Sequence, residues 1–140
     1  SYLFNAVLAE RVRCGDWDRC LPGDVMQLDG RSALFAVPDC DAEIQARLAA
    51  LEIHPTGPLW GRGESLCAGD CAGLEAACLE QEPELREGLE RAGMELDRRA
   101  LRVRVEELTV TPEGNDLWLE FGLPAGSYAT VLLDQLVEWD

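Results

Sequence analysis

Three cysteines, Cys67, Cys71 and Cys78, fall close together, and the lone histidine, His54, precedes them. Thiolates and an imidazole are zinc ligands, so the set raises a tetrahedral metal site. It lacks the Cys-x2-Cys pairs of structural zinc, and cysteines along a helix commonly serve as small buried hydrophobes. No metal is therefore expected. His54 stands before Pro55, and a general base needs an orienting partner that the sequence does not identify. It reads as structural. Trp60 and Arg62 are better candidates, because an aromatic face and a guanidinium can stack on an exposed base or hold phosphate; the alternative has Trp60 closing the core beneath its loop. Arg98, Arg99, Arg102 and Arg104 form the densest basic cluster. They contact a nucleic-acid backbone or pair with Glu106, Glu107 and the acidic helices, and in so acidic a chain internal pairing is the default.

Near the C-terminus Leu117, Leu119 and Phe121 alternate with Trp118, Glu120 and Gly122, the period of a strand. Pro124 and Gly126 let the chain leave the sheet, Ser127 supplies an N-cap oxygen, and Ala129, Leu132, Leu133 and Leu136 follow at helical spacing. A strand, tight turn and helix exposes backbone N–H groups where phosphate is readily held. Ser127 and Tyr128 stand at that turn.

The elements that must position these groups are legible in outline. Tyr2, Leu3, Val7, Leu8 and Val12 predict a helix over residues 1–13 with Glu10, Arg11 and Arg13 towards water. Asn5 on it is either a buried amide satisfied by backbone, the safer reading, or a ligand contact. Val25–Leu28 and Leu34–Val37 predict a hairpin around Asp29-Gly30, and Asp39 or Asp41 caps a helix with Ile44, Leu48 and Leu51 on its apolar face. Residues 53–64, with two prolines and three glycines, read as an irregular loop. Residues 69–93 predict two acidic helices divided at Pro83, with Glu75, Glu80, Glu82, Glu84, Glu87 and Glu90 on a solvated face and none of them catalytic. Leu101, Val103 and Val105 then predict a half-exposed strand, with a turn over 111–116 and an antiparallel return.

The chain has 140 residues, 47% of them hydrophobic, and a formal charge of −15. All twelve cationic side chains are arginine. Neither the first 98 residues nor the remainder is basic, so on charge alone the chain should repel nucleic acid. No apolar run approaches the roughly 20 residues that span a bilayer, and no basic-then-apolar signal-peptide pattern is read in these residues. Six cysteines invite disulfides, but with apolar residues enough for a core the expectation is free thiols in a reducing, cytoplasmic compartment. Opening on Ser1, inside an amphipathic pattern with no cap before it, the chain reads as a fragment.

Phe121-Gly122-Leu123-Pro124-Ala125-Gly126-Ser127-Tyr128-Ala129-Thr130, followed by a short apolar helix, resembles the C-terminal signature of the tRNA pseudouridine synthase D (TruD) family. Three further stretches resemble that family in order and spacing: Ser1 to Arg11 with its Phe4-Asn5 pair, His54 to Gly61, and Asp97-Arg98-Arg99-Ala100-Leu101. The resemblance implies an α+β fold in which residues 1–98 are the later part of an inserted α/β domain. Residues 99–140 would be the C-terminal segment of the catalytic domain, an antiparallel strand pair and a helix belonging to a pseudouridine-synthase sheet. It also implies an enzyme that isomerises a uridine of tRNA, typically position 13, without cofactor or metal, using an aspartate in a segment that this chain does not contain. No carboxylate here is offered as nucleophile, and the chain alone should be inactive. Residues Asn5, Trp60, Arg62, Arg98, Arg99, Ser127 and Tyr128 are its candidate RNA-binding or pocket-lining positions. The implied partner is tRNA, with no membrane, no small-molecule cofactor and a monomeric state. Asp134-Gln135 departs from the family's usual Arg-Glu. The alternative reading is a non-catalytic acidic interaction module that keeps the fold.

Overall fold

A computed structural model describes residues 2–123 and 129–136, which cluster into two compact units, Ser1–Arg102 and Val103–Asp140. The first unit runs α1 (Tyr2–Cys14), β1 (Asp24–Leu28), β2 (Leu34–Val37), α2 (Ala42–Ala49), β3 (Ile53–Leu59), α3 (Gly69–Leu79), α4 (Pro83–Arg91) and β4 (Asp97–Ala100). The second contains β5 (Glu106–Glu113), β6 (Asp116–Gly122) and α5 (Ala129–Leu136). The fold class is α+β, as read.

The strands of the first unit form one antiparallel sheet in the order β2-β1-β3-β4. The β1–β2 hairpin forms where expected, and Asp41 caps α2 by accepting the Ile44 N–H at 2.9 Å. Met26, Val37, Leu48 and Ile53 make one buried cluster with α2 upon it, while Leu3, Val7 and Leu79 make another, with Trp60, Leu74, Cys78 and Leu89 against it.

Residues 53–59 are an inner strand, not an irregular loop. The prolines are tolerated because the two ladders on β3 are staggered. Its residues 53–55 pair with β1, and residues 56–59 pair with β4. The Leu101 N–H donates to the Pro55 carbonyl, so the Pro55 backbone faces β4 at the end of that ladder. Backbone groups alternate sides along a strand, which turns Pro58 toward β1 beyond the last β1 pair. Neither missing N–H interrupts a ladder.

The expected apolar stripe of α1 holds at Leu3 and Val7 but not at its ends. Leu3, Phe4, Val7 and Arg11 are buried, whereas Tyr2 and Val12 are exposed. Arg11, expected in water, is fully enclosed because its guanidinium meets Asp16 and Asp24. Asn5 is exposed, so it is not the buried amide considered above.

In the second unit β5 pairs with β6 from Glu106↔Gly122 to Glu113↔Asp116, with an irregularity between Glu106 and Thr109. The strand therefore begins at residue 106, not at Leu101, and extends through the expected turn to Glu113. Gly114, at a φ of 61°, and Asn115 make the two-residue loop. Leu108, Val110, Leu117 and Trp118 are exposed on this hairpin.

Candidate functional site

Where α3 meets the sheet, charged groups and thiols are buried together. Arg98 on β4 is 7% exposed and faces Glu75 on α3, itself 5% exposed. The Arg98 Nη1 donates to Glu75 Oε1 at 2.9 Å and Nη2 to Oε2 at 2.6 Å, a two-pronged charge-assisted contact. Arg98 Nε also donates to the Thr56 hydroxyl, which in turn donates to the Val25 carbonyl at 2.6 Å. Burial opposes the Arg98 charge, but its hydrogen bonds to Glu75 and the charge of that carboxylate outweigh it and raise the guanidinium above its ordinary value. Glu75 was expected on a solvated face. Its ion-pair partner lies 23 residues further along the chain, beyond the reach of helical periodicity.

A second buried pair adjoins the first. Arg11 donates to Asp24 Oδ2 from both Nη1 and Nη2 at 3.1 Å and to the carbonyls of Asp16 and Arg19 at 2.8 Å. Burial pushes the Asp24 carboxyl above the usual range against the pull of Arg11. Cys71 sits between the two carboxylates, its Sγ 3.3 Å from Glu75 Oε2 and 3.6 Å from Asp24 Oδ1. Cys67 Sγ lies 3.5 Å from Glu75 Oε1 and takes the Ser65 hydroxyl at 3.1 Å. The Cys71 thiol, bonded to Cys67, holds the Cys67 thiol down at about 7, while Cys71 itself is pushed far up. The 67-71-75 spacing was visible in the sequence, but Cys78 and His54 were considered with it in place of Glu75. Beside this cluster is a cavity of about 400 Å³ lined by Trp60, Ser65, Cys67, Glu75, Arg86 and Leu96, among others.

His54 is buried on β3 between two partners. Its Nε2 meets Asp29 Oδ1 at 2.7 Å, and its Nδ1 accepts from Arg102 Nε at 2.9 Å. With Nδ1 accepting, Nε2 carries the hydrogen and donates to Asp29. Arg102 also donates to the Leu48 and Ile53 carbonyls. This chain of three ties together the loop after β1, β3 and the end of β4. Cys20 and Cys40 form a disulfide, which corrects the expectation of free thiols throughout; Cys14, Cys67, Cys71 and Cys78 remain free.

The residues singled out from the sequence divide between interior and surface. Trp60 is half-buried against the Leu3–Val7–Leu79 cluster, with the Arg86 guanidinium 4.5 Å above its ring. Arg62 is exposed, and its Nε donates to the Glu90 carbonyl at 2.6 Å near the end of α4. Its backbone bridges to residues 94–96 through Arg62 N–H to Met94 O and Leu96 N–H to Arg62 O. Arg99 is exposed and lies 5.6 Å over the ring of Phe4, the neighbour of Asn5 in the chain. Arg99 thus meets Phe4 on α1, while Arg98, one residue earlier, turns inward to Glu75. Ser127 and Tyr128 lie outside the described residues.

The family model for tRNA pseudouridine synthase D (TruD) matches residues 1–136. The chain belongs to the TruD family. A tRNA pseudouridine synthase D of Methylococcus capsulatus is 48% identical over 141 residues, covering 100% of this chain and 40% of the relative. That of Pseudomonas syringae pv. tomato is 49% identical and covers 99% of the chain and 39% of the relative. The crystal structure of a TruD protein from Methanosarcina mazei superposes with a TM-score of 0.70 over 96% of this chain and 35% of that one. At 21% identity that likeness concerns the fold alone. The chain spans about 40% of the length of the curated TruD relatives it matches.

Proposed function

We propose that this chain is the C-terminal portion of a tRNA pseudouridine synthase that converts a uridine of tRNA, at position 13, to pseudouridine. The observation that carries the reading is the TruD match across residues 1–136 in a chain spanning about 40% of its curated relatives. Residues 1–98 are assigned to the later part of the inserted domain and residues 99–140 to the catalytic domain. The reaction requires the base to leave the stack and a carboxylate to attack it in an enclosed pocket. The attacking aspartate comes from the part of the enzyme outside this chain, and no cofactor takes part. The enzyme works as a monomer in the cytoplasm.

On this reading the chain lends a wall to the tRNA cleft. Asn5, Arg62 and Arg99 present polar groups at its surface, and Ser127 and Tyr128 are kept as candidate RNA contacts. Trp60 and Arg98 support that wall from within, since Arg98 is engaged by Glu75 and fixes the strand that carries Arg99. The exposed apolar side chains of β5 and β6 meet the remainder of the catalytic sheet. An acidic chain can serve an RNA enzyme in this way when most of the cationic lining is contributed by the other portion.

The test joins these 140 residues to the N-terminal portion of the Methylococcus capsulatus relative and measures pseudouridine in tRNA by mass spectrometry. The joined protein should modify tRNA and the chain alone should not. A folded but inactive joined protein would favour the non-catalytic acidic module instead, and activity of the chain alone would place the reactive carboxylate within it.

A further inference from the structure

The Cys67, Cys71 and Glu75 cluster belongs to none of the surfaces assigned to RNA. Two sulfurs and a carboxylate oxygen lie within 4.8 Å of one another, presented by one turn-and-helix segment at steps of four residues. We propose that these three side chains form a binding site for a soft divalent cation, zinc, with its fourth coordination position open to the adjoining cavity.

Three observations carry the assignment. The first is spacing. In a tetrahedral site with Zn–S near 2.3 Å and Zn–O near 2.0 Å, sulfur and oxygen ligands stand about 3.5 Å apart. Cys67 Sγ stands 3.5 Å from Glu75 Oε1 and Cys71 Sγ 3.3 Å from Oε2, so each thiol is at ligand spacing from one oxygen of the carboxylate, and the two sulfurs and a single carboxylate oxygen lie within 4.8 Å of one another. A carboxylate offers about four lone-pair sites; Arg98 takes one on each oxygen and leaves one on each for the sulfur side. The second is charge. Arg98 balances Glu75 and Arg11 balances Asp24, so the buried set is neutral with both thiols protonated. Binding one Zn²⁺ forms two Zn–S bonds and releases two protons to solvent, and the set is neutral again. The ion therefore enters without leaving net buried charge, the condition that makes buried ionic groups costly. The third is access. Cys67 is half-buried, and Cys67, Glu75 and Ser65 line the cavity of about 400 Å³, which offers room for a water or a ligand oxygen on the open side of the ion.

The experiment uses the full chain with its Cys20–Cys40 disulfide intact and its four free thiols confirmed by titration. Zinc chloride is added at pH 6 in buffers of different ionisation enthalpy and followed by calorimetry, and cobalt chloride in parallel by absorbance. One equivalent of zinc should bind with release of close to two protons, and cobalt should give a thiolate charge-transfer band. Cys67→Ser and Cys71→Ser should each weaken zinc by roughly tenfold or more, since even supporting residues of metal sites are worth that much. Cys78→Ser, on the same helix outside the cluster, should bind as the unaltered chain does. Because Cys67 is half-buried, its serine variant should keep its circular dichroism and separate loss of metal from loss of fold. Absence of zinc binding, unchanged affinity in Cys67→Ser, or binding without proton release would each overturn the site.

Discussion

Glu75→Gln keeps the shape of the side chain and removes its charge, and so isolates what the buried ion pair does for the first unit. In the native chain Arg98 makes two contacts to the carboxylate, at 2.9 and 2.6 Å, with the two side chains 4% and 6% exposed. Removing one partner of such a pair leaves an uncompensated buried cation and costs about 3–5 kcal/mol. For a unit of this size each kcal/mol is worth about 4–8 °C, so the melting temperature should fall by at least about 12 °C. Replacing both members, Glu75→Leu with Arg98→Met, removes both charges from the interior and should recover to within about 2 kcal/mol of the native chain. The Thr56 hydroxyl keeps its bond to the Val25 carbonyl in every variant, which limits the damage beyond the pair. Urea unfolding followed by circular dichroism, with a chelator present to keep metal out of the comparison, gives all three values. A Glu75→Gln penalty below about 1 kcal/mol, or a double variant no more stable than the single one, would refute the account of a desolvated, mutually dependent pair.

Two further outcomes test other parts of the interior. Arg11→Met should destabilise the first unit by about 3 kcal/mol by stranding Asp24, whereas Arg13→Ala, two residues along the same helix and exposed, should leave the urea midpoint unchanged; equal effects would mean that Arg11 is solvated after all. Cys20→Ser with Cys40→Ser opens a loop whose ends are 20 residues apart and should cost about 3 kcal/mol, read as a shift in the same midpoint. No shift would indicate that the ends of that loop are held by other contacts.

How far the sequence could be read depended on the distance over which each determinant acts. The Asp41 cap, the Asp29-Gly30 hairpin, the break at Pro83 and the strand from Leu117 to Phe121 are local, and they formed where composition and period placed them. Arg11 was misplaced because α1 offers two overlapping apolar stripes, and the one that is buried includes a cation whose partner, Asp24, lies on a strand. Glu75 was lost among neighbouring glutamates for a like reason. Residues 53–59 read as a loop in the sequence because proline and glycine content records what a residue cannot donate, not which side of a strand it faces. The beginning of β5 was displaced because Leu101, Val103 and Val105 alternate like a strand, while the pairing with β6 begins only at Glu106. Of the candidate residues, the placement of Arg99 over the Phe4 ring was not legible in the sequence, and the thiol–carboxylate cluster likewise needed the fold to be seen.

The arrangement of β3 has a bearing on how the sheet resists error. A strand that gives one half of its length to each neighbour leaves, beyond each ladder, a stretch of edge onto which a slipped or foreign strand could lock. Pro58 stands on the stretch beyond β1 and Pro55 at the limit of β4, so either extension soon meets a residue with no hydrogen to offer. The two rings act as stops that limit how far each neighbour can grow. Replacing them with valine would make the strand look more ordinary and its register less certain.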